Sequence, residues 1–152
     1  MKNCITRLFI ASIIMINLNS CGVSNELKER RETGYEILYQ SQISDCTDQK
    51  IRILDDEDQW TQYVDSFRNG KLESVSNIDF DKEFIAVVCA GTRNTGGYQI
   101  KSPVISKEKN TMMYYFEVEG PGKEDLVTMA ITQPMMVIRI PYSSNKVICR
   151  WK

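Results

Sequence analysis

The chain has 152 residues, with 19 Lys and Arg against 20 Asp and Glu, and no histidine. The missing imidazole excludes Ser-His-Asp and Cys-His catalysis, histidine zinc sites and a near-neutral histidine base in one step. A formal net charge of -1 with no basic stripe makes nucleic acid a poor partner.

The N-terminus, MKNCITRLFIASIIMINLNSCGVSN, opens with Lys2 and Arg7 and runs into an apolar stretch from Leu8 to Leu18. That length suits the core of an export signal and falls short of the ~20 residues a spanning helix needs. Leu18-Asn19-Ser20-Cys21-Gly22 resembles a bacterial lipobox, whose cysteine is acylated with fatty acids such as palmitate and becomes the first mature residue. Residues 1–20 are therefore expected to leave as a signal peptide, moving the net charge to about -3. The mature chain is expected in the bacterial cell envelope, held to a membrane by lipid at Cys21 and facing the periplasm or the cell surface. It is long enough for one domain with its own core.

Residues 21–34 are polar and charged, with only Val23 and Leu27 apolar after the cysteine, and read as a lipid-anchored flexible tether. A folded domain is expected over 35–152. YEILYQSQI (Tyr35 to Ile43) and KIRIL (Lys50 to Leu54) have the β-branched and aromatic content of strands. The period then changes. Trp60, Tyr63, Val64 and Phe67 share one face of a helix predicted over about residues 56–69, with Gly70 placed to end it. Asp55, Asp56, Glu57 and Asp58 lack the D-x-D-x-D-G order of a calcium loop and suit the cap and first turn of that helix.

EFIAVVCA (Glu83 to Ala90) is apolar on both faces and reads as a central strand. The stretch after it, GTRNTGGYQI, places three of the chain's eight glycines within seven residues. A phosphate loop would be followed by a helix, yet Tyr98 to Ile105 alternates like a strand and contains Pro103. The stretch is therefore a strand-loop-strand connection. Gly96 and Gly97 would take conformations closed to other residues, while Arg93 and Asn94 are exposed polar side chains that the turn itself does not require.

Thr111 to Glu119 alternates, and Val127 to Ile131, Met135 to Ile140 and Lys146 to Trp151 follow as further strands. Met112, Met129, Met135 and Met136 read as core filler. After removal of Cys4 and use of Cys21 for lipid, Cys46, Cys89 and Cys149 remain, so at most one bridge forms. Cys89 and Cys149 read at least as well as small buried hydrophobes. The predicted fold is mainly β (α+β): an antiparallel β-sandwich or open barrel with one amphipathic helix near the start of the domain.

GTRNTGGYQI resembles the G-x-x-x-T-G-G-Y signature of the protease complex subunit PrcB family. DDEDQW is similar to that family's aspartate-rich helix start, IDFDKEFIAVV to its turn into a central strand, and ITQPMMVIRIP to its T-x-P segment and apolar strand. Together they span about residues 35–151. Met135 departs from the family, which usually has an aromatic residue after the proline. The resemblance implies a non-catalytic lipoprotein, an accessory or interaction subunit for an exported partner such as a protease; from the residues themselves no cofactor and no metal are expected. Arg93, Asn94, Thr95, Gly96, Gly97 and Tyr98 are its candidate partner-binding residues. The same loop is more weakly similar, through Asn94, Thr95, Gly97 and Tyr98, to the N-P-T-T-G-Y loop of chagasin-like protease inhibitors. That resemblance implies an alternative, an inhibitor inserting the Arg93 to Tyr98 loop into an active-site cleft, although the R-P-W loop of those inhibitors is missing.

Overall fold

The computed structural model describes residues 34–67 and 71–152. The signal peptide, the acylation position Cys21, the tether as far as Thr33 and the helix stop at Gly70 lie outside the described residues. In chain order the elements are β1 (Glu36–Ser41), β2 (Gln49–Leu54), α1 (Glu57–Ser66), a short 3-10 turn (Lys71–Ser74), β3 (Glu83–Ala90), β4 (Gln99–Ile100), β5 (Val104–Glu108), β6 (Thr111–Phe116), β7 (Val118–Glu119), β8 (Met135–Pro141) and β9 (Lys146–Trp151).

Strand β3 organises the fold because every one of its residues is buried. It pairs antiparallel with β2 on one side and β8 on the other, and β1 completes a sheet ordered β1-β8-β3-β2. Successive side chains of a strand face opposite ways, so β3 feeds two cores. Ile85, Val87 and Cys89 join Leu54, Trp60, Phe67, Leu72, Met135 and Val137 on the helix side. Phe84, Ala86, Val88 and Ala90 join Ile100, Tyr114, Phe116, Met136, Ile138 and Ile140 on the other. Helix α1 thus covers one face of the sheet, and a second sheet ordered β5-β6-β9 covers the opposite face. Of the two expected architectures this is the sandwich with one helix, and the short β4-β7 pair lies beside it.

The helix is capped as its sequence suggested. Asp56 sits in extended backbone and accepts from the Gln59 amide at 2.7 Å, while Asp55 Oδ1 accepts from Gln59 Nε2 at 2.9 Å. It ends three residues sooner than expected, at Ser66, because Phe67 leaves helical backbone while its ring stays in the core.

Several expectations need correction. Tyr35 to Ile43 is a shorter strand, β1, with an irregular register between Ile37 and Tyr39. Tyr98 to Ile105 is not one strand: around Pro103, which cannot donate to a ladder, the chain passes from β4, paired with β7, to β5, paired with β6. The sheets are not wholly antiparallel. Residues Tyr142–Asn145 carry the chain across the sandwich, and β9 starts beside the start of β6 and runs parallel to it. Val127 to Ile131 forms no strand, and Met129 is 90% exposed, so it is not core filler. Cys89 is buried but bridged to Cys46 across 43 residues of sequence. Cys149 is the free thiol among the described residues, and burial pushes its pKa up to about 11.

The two ends of the sandwich differ. At the end where the chain enters, Arg139 holds Glu36 with two hydrogen bonds of 2.8 and 3.0 Å and Glu83 with a third of 3.2 Å, tying β1, β3 and β8 together. At the other end lie the connections leaving β1 and β3 and the chain entering β8.

A candidate docking surface at one end of the sandwich

Strand β3 ends at Ala90, and the Arg93 to Tyr98 loop begins above it. Two neighbours hold this loop. On one side, Thr92 donates from its amide (3.0 Å) and its hydroxyl (3.2 Å) to the Thr47 carbonyl. On the other, Arg93 and Thr132 exchange both backbone hydrogen bonds, at 2.8 and 2.9 Å, as an isolated antiparallel bridge. The Thr132 hydroxyl donates to the Thr95 carbonyl at 2.8 Å, and the Gly96 amide donates to the Thr128 carbonyl at 2.9 Å. The loop is laced along residues 128–132.

That lacing explains the paired glycines. Gly97 has φ +83, and a Cβ there would lie 3.1 Å from Cβ of Pro121. Gly96 has no such backbone angle. A Cβ there would meet the hydroxyl of Thr128, which would have to turn away, so only one of the two takes the left-handed conformation the sequence suggested for both.

The candidate residues are brought together but not all presented. Asn94 is exposed, Gly97 is exposed, Thr95 and Tyr98 are half-buried and Gly96 is buried. Arg93 is not the exposed side chain expected. Its Nη2 donates to the Ala90 carbonyl at 2.9 Å and its guanidinium lies 5.5 Å from the centre of the Tyr98 ring, a cation-π contact that folds it back onto the loop. The side chain is held here because the chain reverses between Ala90 and Tyr98, bringing a carbonyl and a ring within reach of one guanidinium.

Sequence reasoning missed the residues that do project. Leu126 is 103% exposed, Met129 90%, Ile131 70% and Ile43 68%. Ile43 belongs to the same end, since the Gln133 amide donates to the Gln42 carbonyl at 2.9 Å and the Ser44 hydroxyl donates to the Gln133 carbonyl at 2.7 Å. A strand-like apolar composition hid Leu126, Met129 and Ile131, and only the bracketing PGKED and Pro134 hinted at a loop. These side chains and Asn94 stand exposed at this end of the sandwich, and apolar area with a few polar groups is what contact with a macromolecule requires.

No curated protein and no solved structure matches the chain. Residues 84–141 match the family model described as PrcB C-terminal. The matched stretch holds both central strands, β3 and β8, the glycine loop and the exposed segment beside it.

Proposed function

We propose that this protein is a non-catalytic accessory subunit, tethered to an envelope membrane by lipid on Cys21, that docks an exported partner, a protease in keeping with the family's name. The observation that carries this reading is the end surface, mostly within the stretch that matches PrcB C-terminal: a loop fixed by six hydrogen bonds to its neighbours, next to aliphatic side chains left in water. Exposed aliphatic groups gathered on a rigid support are what an interface core requires. The alternative, insertion of the Arg93 to Tyr98 loop into a catalytic cleft, is disfavoured by the same lacing. The Thr95 carbonyl and Gly96 amide are already used, and Gly96 is buried.

The test is purification of the native lipoprotein from its own membranes in mild detergent, with the co-eluting protein quantified. A partner in near-stoichiometric amount is expected, and Cys21→Ser should release the protein from the detergent phase. Recovery of the lipoprotein alone would refute the subunit reading. Retention of the Cys21→Ser form in the membrane would refute the anchor.

A further inference from the structure

We infer that the segment Leu126 to Ile131, and not the glycine loop behind it, grips the partner, and that the surface it fits is an apolar groove with a basic rim on an exported protein. The inference rests on the lipid-anchored subunit reading and adds the residues, direction and chemistry of the contact.

Single aliphatic side chains in water are ordinary, whereas Leu126, Met129 and Ile131 occur within six residues, with Ile43 at the same end. The segment is also fixed. In its middle the Thr128 carbonyl accepts from Gly96, and directly after it Thr132 is bridged to Arg93. A segment whose backbone is tied to the glycine loop at two points has less freedom left to lose on binding.

Its direction follows from the topology. The tether joins the domain at Gly34, whose carbonyl accepts from the Tyr114 hydroxyl at 2.8 Å, and β1 then runs from Glu36, opposite Arg139, to Ser41, opposite Met135. The ridge precedes Met135, so it stands at the end of β1 remote from the tether. Residues Gly22 to Gly34 span at most about 45 Å even fully extended, so the domain stays near the membrane, with the ridge at the end of the sandwich away from the tether.

Charge selects the occupant. Glu124 and Asp125 directly precede Leu126, with Lys123 before them and no other charged residue as far as Thr132. Apolar residues that enter an anionic bilayer are flanked by cations, and here the acids outnumber the cation, which disfavours a lipid surface. The same two carboxylates complement a basic rim on a protein.

The experiment uses the full-length lipidated protein. Leu126→Asp with Met129→Asp should leave the thermal midpoint unchanged, both positions being exposed, and should lower recovery of the partner that co-purifies with wild type by about tenfold or more, as loss of interface anchors does. Val104→Asp, at an exposed position on β5, should retain it, and a photo-crosslinker placed at Leu126 should join that same protein while one at Val104 should not. Raised ionic strength should weaken the association. Undiminished recovery by the double variant would overturn the ridge and leave the subunit reading standing. A wild type without a partner would overturn both. Phosphatidylglycerol vesicles supply the lipid arm: the soluble Cys21→Ser form should stay in the supernatant, and sedimentation that the double variant abolishes would overturn the choice of a protein partner.

Discussion

Removing the Cys46–Cys89 bridge should be among the costliest changes to this domain. The bridge closes a loop of 43 residues that contains β2 and α1, and both cysteines are buried in the helix-side core. Restricting the unfolded chain over that separation stabilises the fold by about 4 kcal/mol on the chain-entropy account. For a domain of this size the loss corresponds to roughly 12 to 20 °C in melting temperature. The bridge also fixes the connection that carries Ile43, since the Cys46 amide donates to the Ser44 hydroxyl and the Thr47 carbonyl next to it receives Thr92. The assay is guanidinium unfolding of wild type and of Cys46→Ala with Cys89→Ala, followed by tryptophan fluorescence. A lower midpoint is expected together with a steeper dependence on denaturant, because the uncrosslinked chain exposes more surface when unfolded. A loss under about 1 kcal/mol at unchanged slope would show that the bridge does not restrain the unfolded chain as reasoned.

Trp60→Ala should cost about 3 to 5 kcal/mol, since the ring is buried on α1 against the sheet and stacks with Tyr63 at 6.5 Å; a chemical denaturation loss under about 1 kcal/mol would mean a loosely seated helix. Gly97→Ala should destabilise by roughly 1 kcal/mol or more because of its φ of +83 and the nearby Pro121, and a neutral result would refute the left-handed turn. By the same measurement Arg93→Ala should cost about 1 kcal/mol through its lost carbonyl bond and ring contact, while Asn94→Ala should stay within about 0.5 kcal/mol of wild type.

The sequence by itself determined the features that depend on local period and composition. An eight-residue run without a polar face except Glu83 could only be a strand buried on both sides, and β3 is the middle of the molecule. Apolar residues at Trp60, Tyr63, Val64 and Phe67 could only face one way on a helix, with Asp56 as its cap. The glycine loop was legible as a turn because Pro103 and the alternation after it left no helix to follow.

Tertiary structure decided the rest, because partners distant in sequence leave no local trace. Three cysteines allowed several pairings, and only the approach of the β1-β2 connection to β3 selected Cys46 and Cys89. The parallel pairing of β6 with β9 depends on where the chain crosses between sheets after Pro141. Arg93 looked exposed until the loop's reversal placed the Ala90 carbonyl and the Tyr98 ring within its reach. The ridge is the sharpest case. Apolarity says that a side chain can be buried, and the sequence of Val127 to Ile131 satisfies that condition as well as a strand does. Whether anything covers Leu126, Met129 and Ile131 depends on which surfaces the two sheets have left over, and among the described residues none reaches them.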